Sequence, residues 1–214
     1  MMKKLIVFCL TTCFSVGLQA QKTIEDYRVY AEQGDADAQY HLGMHYIRGD
    51  NVSKDTAQAL YWWRSAAEQG HVEAQYNLGM YYFRNSNVTK DDITQAVYWF
   101  SAAAEQGESR SQYWFGVLYS THFRDFTNIS RNKARKQSVY WYLKSAEQGN
   151  ALAQGRLGYL YMKGIGVKRD RNTALFWFEK LFENEYLYTE NFRKETEYMK
   201  ELKSKGFCSS LAKL

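Results

Sequence analysis

The strongest constraint on this chain is that it repeats itself. The tetrapeptide Ala-Glu-Gln-Gly begins at Ala31, Ala67, Ala104 and Ala146, with offsets of 36, 37 and 42. A second pattern keeps the same rhythm as Ala38-Gln39-x-x-Leu42-Gly43, Ala74-Gln75-x-x-Leu78-Gly79, Ser111-Gln112-x-x-Phe115-Gly116 and Ala153-Gln154-x-x-Leu157-Gly158. Each copy has a tyrosine four residues after its Leu or Phe, at Tyr46, Tyr82, Tyr119 and Tyr161. A third pattern reads Ala59-Leu60-Tyr61-Trp62-Trp63, Ala96-Val97-Tyr98-Trp99-Phe100, Ser138-Val139-Tyr140-Trp141-Tyr142 and Ala174-Leu175-Phe176-Trp177-Phe178. Self-similarity at this period marks units that bury their apolar faces by stacking on neighbours.

Spacing within a unit is helical. Ala38, Leu42 and Tyr46 fall at i, i+4 and i+8, one stripe on one helix. Ala59, Trp62, Trp63 and Ala66 fall at i, i+3, i+4 and i+7, a second stripe on a second helix. Each unit is therefore expected to be a short helix A, a turn and a longer helix B. The absence of proline from all 214 residues suits a wholly helical chain. Gly43 and its equivalents would lie mid-helix, where glycine costs about 1 kcal/mol relative to alanine. The expected reason is a close crossing at which only a hydrogen side chain admits the large tryptophan of helix B. Gly34, Gly70, Gly107 and Gly149 follow helix B and are expected to end it in the left-handed conformation.

These motifs resemble the Sel-1-like repeat family, a relative of tetratricopeptide repeats. The last copy carries the family's loop as Gly164-Ile165-Gly166-Val167-Lys168-Arg169-Asp170, and the first reads Gly49-Asp50-Asn51-Val52-Ser53-Lys54-Asp55. In the second, Asn85 and Asn87 stand at both glycine positions, and asparagine tolerates positive φ better than other residues. Asp55 and Asp170 are expected N-caps of helix B. The resemblance, over about residues 23–184, implies an all-α, right-handed solenoid of stacked helix-turn-helix repeats. The expected division is a signal peptide at 1–20, an N-terminal capping half-repeat at 21–34, and repeats at 35–70, 71–107, 108–149 and 150–188. A C-terminal capping helix with its tail follows at 189–214, with Thr189 as cap and Phe192, Thr196, Met199 and Leu202 as stripe.

Residues 1–20 read as a secretory address. Lys3 and Lys4 precede the apolar run Leu5–Leu10, and small residues lead to Ala20, after which cleavage is expected. Acylation at Cys13 is the rival reading. The apolar run falls short of the ~20 residues that span a bilayer, so no membrane insertion is expected after cleavage. The expected location is periplasmic or secreted. Loss of Lys3 and Lys4 takes the charge from +5 to +3, too little to argue for nucleic acid. Cys208 would be the sole remaining thiol, so no internal disulfide is available.

Little here points to chemistry. His41 and His45 sit at i and i+4 but lack the glutamate of a zinc H-E-x-x-H and a third ligand. Cys208 has no evident base beside it. No catalytic residue, metal or cofactor is expected. The repeated tryptophans are read as core. Residues that vary between copies are free to serve a partner, and on helix A the outward row would be Asp37, His41, His45; Glu73, Asn77, Tyr81; Arg110, Trp114, Leu118; and Leu152, Arg156, Leu160. Aromatic residues and arginine dominate binding energy at interfaces. The expected protein-binding site on the concave helix-A face is thus Tyr81, Arg110, Trp114 and Arg156, with His41 and Asn77. The other reading of Trp114 packs it beneath an insertion. That insertion lengthens copy three by six residues, and the stretch 121–136 carries Arg124, Arg131, Lys133, Arg135 and Lys136 against the single acid Asp125. It is either an idle solvated loop or a second partner site.

The resemblance implies adaptor or scaffold duties in envelope complexes. It also leaves open an immunity protein that neutralises a secreted toxin, such as a phospholipase effector. A third reading is β-lactam binding or hydrolysis, associated with relatives that carry paired cysteines in each repeat, which this chain lacks.

Overall fold

A computed structural model describes residues 23–84 and 88–183. Ten helices follow one another in these residues, with no strand among them: α1 Ile24–Glu32, α2 Ala36–Arg48, α3 Thr56–Glu68, α4 Val72–Phe83, α5 Lys90–Glu105, α6 Ser109–Thr121, α7 Phe123–Phe126, α8 Arg131–Glu147, α9 Ala151–Lys163 and α10 Arg171–Glu183. The A and B helices of the four repeats pair as α2 with α3, α4 with α5, α6 with α8 and α9 with α10. Each B helix also packs on the next A helix, with α1 serving α2 in the same way. The fold is an all-α solenoid of helical hairpins. No helix among the described residues is long and apolar enough to cross a membrane. The expected signal segment, the C-terminal capping helix with its Thr189 cap, Cys208 and the Asn85 and Asn87 turn lie outside the described residues.

Local chemistry explains where the chain turns. Helix α3 ends through Gly70, at φ 92°: its N–H donates to the Ala67 carbonyl, and the His71 N–H donates to the Ala66 carbonyl. A left-handed glycine with this bond pair closes a helix while satisfying its last carbonyls. Gly34, Gly107 and Gly149 end α1, α5 and α8 with the same pair of bonds. The next residue then caps the following A helix, as Asp35, His71, Glu108 and Asn150 do for α2, α4, α6 and α9. His71 Nδ1 accepts from the Ala74 N–H, leaving the opposite ring nitrogen 3.2 Å from the Asp37 carboxylate. Asp55 and Asp170 cap α3 and α10 as expected, and Asn51 takes a positive φ of 61° where copy four has Gly166.

The mid-helix glycines do mark close crossings, and a tryptophan fills the first of them, but other aromatic rings fill the remaining three. A Cβ built on Gly43, Gly79, Gly116 or Gly158 would lie 2.5, 2.7, 2.9 or 2.6 Å from Trp63, Phe100, Tyr142 or Phe178. These residues follow the repeated tryptophan by one. The repeated tryptophan itself turns toward the preceding unit. Trp62 packs against Ala31, Ala38 and Leu42, Trp99 against Trp63, Ala66 and Ala67, and Trp177 against Tyr142 and Ala146. Trp141 packs against the cluster that holds Phe100 and Ala104 of the preceding unit, and also meets the Phe115 ring of its own helix A at 5.1 Å. Trp99 and Trp177 are buried, Trp62 and Trp141 half-buried. One ring closes the hairpin and its neighbour joins hairpin to hairpin.

A glutamine ladder completes the joint. The buried amide of Gln39 donates to the Ala31 carbonyl at 3.1 Å, and its oxygen accepts from Gln69 at 2.8 Å. Gln75 bridges Ala67 and Gln106 in the same way, and Gln112 bridges Ala104 and Gln148. Gln154 donates to the Ala146 carbonyl, starting the fourth rung. The two motifs that recur in the sequence are thus the two halves of one hydrogen-bonded contact. Buried amides are satisfied here where one B helix, the next A helix and the following B helix meet.

The insertion in copy three is helix on either side of a short connection at residues 127–130. α7 anchors it through buried Phe123 and through Phe126, whose ring sits 5.2 Å from Tyr119. Ser130 then caps α8, which gains an extra turn because Ala134, Ser138 and Tyr142 continue one buried stripe at i, i+4 and i+8. Arginine, lysine, alanine and glutamine between them are good helix formers.

Gly79→Ala gains about 1 kcal/mol of helix propensity and loses ~1–3 kcal/mol to overpacking against Phe100. Urea unfolding should show net destabilisation in the native background and net stabilisation in a Phe100→Leu background.

Candidate functional site

The helix-A row divides into residues that face solvent and residues that do not. Asp37, His41, Glu73, Tyr81, Arg110 and Arg156 are exposed, and Asn77 is half-buried. Leu118 and Leu160 are buried, at 0% and 7%, and leave the row. Leu118 packs in a cluster with Phe115, Ile93 and the inserted Phe126, and Leu160 in one with Val117 and Val139. Apolar side chains at those angular positions are drawn under neighbouring helices.

Trp114 is half-buried and held by packing rather than projecting freely outward. Its ring stacks on Phe100 at 6.5 Å and 17°, and tilts against Phe83 at 5.2 Å. The ring network reaches the insertion only at its edge, where Phe83 meets His122 at 6.2 Å. Truncating Trp114 would remove packing between α4, α5 and α6.

Arg110 is exposed but held. Its guanidinium lies 4.1 Å from the Tyr76 ring centroid, and its Nε donates to Glu108 at 2.6 Å. Burial pushes the Glu108 carboxyl up, but hydrogen bonds from Arg110 and Ser111 outweigh it and hold the group below the usual range. Burial also pulls on Arg110, and its bond to Glu108 more than restores it. The pair fixes the start of α6. Arg156 stands beside the hydroxyls of Tyr113 and Tyr142.

His41 and His45 gather around Tyr27 of α1, with ring centroids 5.0 and 5.7 Å away. His45 Nδ1 lies 3.0 Å from the Asp50 carbonyl. No group of three His, Cys, Asp or Glu that could hold a metal occurs among the described residues. His41 therefore belongs to an aromatic patch at the first hairpin, apart from the residues that meet next.

Those residues form a groove. Asn77 and Tyr81 of α4 converge with Met80 and Arg84 on Met44 and Ile47 of α2, over Trp63 of α3, around a volume of about 590 Å³. Asn77 Nδ2 approaches Met44 Sδ at 3.4 Å. The floor is two thioethers, an isoleucine and an indole, and the rim is an amide, a phenol and a guanidinium. Methionine is flexible and polarizable, which suits a surface that adapts to an inserted side chain. Sequence reasoning found Asn77 and Tyr81 but missed Met44, Ile47, Met80 and Arg84. The available signal was that Leu-Gly is followed by methionine in copies one and two, by Val117 and Tyr159 in the others.

The basic residues of the insertion are all exposed. Arg131, Lys133, Arg135 and Lys136 lie in the first two turns of α8, and Arg124 on α7 stands 5.7 Å from the Phe123 ring centroid. α8 has no acidic residue in its first turn. Cations there oppose the helix dipole, at about 0.3–1 kcal/mol each.

Burial pushes the Tyr142 hydroxyl up to about 12, with Ser120 and Arg156 working against the shift. An unfolded tyrosine ionises near ~10. The contribution of Tyr142 to stability is thus intact below that pH and lost as pH rises through about 12. Tyr142→Phe should flatten the fall in stability above pH ~10, read by urea unfolding across the alkaline range.

A family model described as Sel1 repeat matches residues 36–71, 72–108, 109–150 and 151–186. A comparison with curated proteins finds no match. Among solved structures, the chain is similar to a protective antigen present in uropathogenic Escherichia coli strains, with an SLR fold. The two are 37% identical with a TM-score of 0.67, over 76% of this chain and 33% of that one. It is also similar to a Sel1 repeat protein from Oxalobacter formigenes, at 30% identity and a TM-score of 0.64, over 75% of this chain and 61% of that one. The chain spans about a third of the first relative and three-fifths of the second. With four matched repeats, glycines seated under aromatic rings and hairpins stacked through glutamines, the chain belongs to the Sel1 repeat family.

Proposed function

We propose that the chain is a non-enzymatic interaction module that binds a protein partner along its helix-A face, seating an apolar side chain of the partner in the groove between α2 and α4. The carrying observation is the division of labour within each repeat. Recurring residues (glycine, ring, tryptophan, glutamine) are spent on internal joints, whereas the groove is built mostly from positions that change between copies. An apolar floor ringed by a phenol, an amide and a guanidinium supplies both anchoring area and orientation, the composition expected of a binding hot spot. Arg156 extends the same helix-A row toward the fourth repeat. Arg110 is already engaged by Glu108 and Tyr76, and Trp114 by Phe83 and Phe100, so they frame the face.

The proposal places the protein in the periplasm or outside the cell after cleavage behind Ala20. The basic start, short apolar core and small-residue exit of residues 1–20 support this.

The test is capture from native envelope extract with mass spectrometry, using the wild-type chain and a variant carrying Asn77→Ala, Tyr81→Ala and Arg84→Ala. The expected result is unchanged helical content and about tenfold less of a defined captured protein, as the loss of a small hot spot predicts. Equal capture by both proteins would remove the groove from the account. The identity of the captured protein separates an envelope component from a secreted toxin.

A further inference from the structure

Charge is distributed unevenly along the solenoid. Residues 23–121 hold seven Lys+Arg against thirteen Asp+Glu, a net of −6, and residues 122–183 hold twelve against five, a net of +7. The positive half is concentrated at one edge. The loop of repeat four lies against the start of α8, so that a Cβ on Gly166 would stand 2.6 Å from the Arg135 carbonyl. Arg169 lies on the same loop, its Cβ 3.2 Å from a Cβ built on Gly164, and Arg171 opens α10 directly after it, while Arg131, Lys133, Arg135 and Lys136 occupy the start of α8 that the loop meets. All six are exposed, and among the described residues none of them takes part in an ion pair.

We propose that this edge, assembled from the insertion of repeat three and the loop of repeat four, docks a short acidic segment of a protein partner. The inference rests on the reading of the chain as a protein-binding module and adds a second contact of opposite character to the apolar groove. Three observations select the occupant. Four of the six cations are arginine, whose planar fork matches carboxylates bidentately. No large apolar side chain is exposed within residues 122–136 or 163–171, and membrane-surface elements pair their cations with such anchors. The acidic half of the same molecule would repel a long polyanion such as a nucleic-acid duplex running beyond the patch, but leaves a compact acidic segment unopposed. Binding there would also supply the negative charge that the N-terminus of α8 lacks.

The experiment uses residues 21–214 and a fluorescein-labelled peptide of about twelve glutamates, read by anisotropy at low salt (about 50 mM). Phosphatidylglycerol-containing vesicles and a duplex of about 60 base pairs serve as competing probes. The expected result is peptide binding that weakens about tenfold with Arg131→Gln, Lys133→Gln, Arg135→Gln and Lys136→Gln together, and about threefold with Arg169→Gln and Arg171→Gln. It should be unchanged by Arg28→Gln with Arg64→Gln, and by Tyr81→Ala, so that failure of the groove and failure of the edge are read separately. Peptide binding indifferent to both sets of edge substitutions would overturn the proposal. So would tighter binding of vesicles or duplex than of peptide, or a low-salt dimer abolished by the same substitutions.

Discussion

In each repeat an aromatic ring of helix B rests on a glycine of helix A, at a distance that no Cβ could share. A helix that accepts glycine at its centre gives up propensity, and it recovers that cost only if the neighbouring backbone comes closer than any other residue allows. The closeness sets the geometry of the hairpin, and the hairpin sets everything stacked on it. The small residues Ala66-Ala67, Ala103-Ala104 and Ser145-Ala146 then sit fully buried where the next A helix docks, and the tryptophan beside each ring reaches back to the previous unit. Close packing transmits the constraint because interiors contain little free volume to absorb a misfit.

Polar groups reinforce this apolar frame where it is hardest to satisfy. Near the ends of α1, α3, α5 and α8 one alanine, Ala31, Ala67, Ala104 or Ala146, is buried under the next A helix, which shields its carbonyl from water. One glutamine from each of two helices meets them there, and the same geometry recurs through three rungs. A repeat that carried the ring and glycine but not the glutamines would leave those carbonyls with the glycine N–H as donor and lose the link to the following B helix. Both features together leave each unit with a specified neighbour on either side, as stacked repeats require.

Much of this was legible in the sequence, because the chain states its period four times. Stripes gave the helices, Gly34 and its equivalents gave the stops, and Asp55 and Asp170 gave the starts. What sequence could not give was direction across the helix axis. The repeated tryptophan and the following ring are adjacent, and adjacent helical residues point about a hundred degrees apart. Their roles were exchanged by attributing the tightest contact to the largest side chain. Trp114, expected to point outward, lies half-buried because Phe83 and Phe100 pack against its ring. The insertion was read as a solvated loop or a second partner site because insertions between repeats fall on loops, yet Ala134 continues the buried stripe of α8, and that single small residue is the signal. Of the nominated binding residues, Asn77 and Tyr81 meet in one groove, and Arg156 remains on the same row.

The central claim is that variable helix-A positions, carried on an inert frame, select the partner. Site-specific photocrosslinking in the native host tests it most directly, with a benzoyl-phenylalanine placed once at Tyr81 and once at Tyr61. Both side chains are exposed aromatics, one on the groove and one at the recurring outward position of helix B. The account predicts a discrete protein adduct from position 81 and none from position 61. An adduct formed from position 61 alone would contradict it.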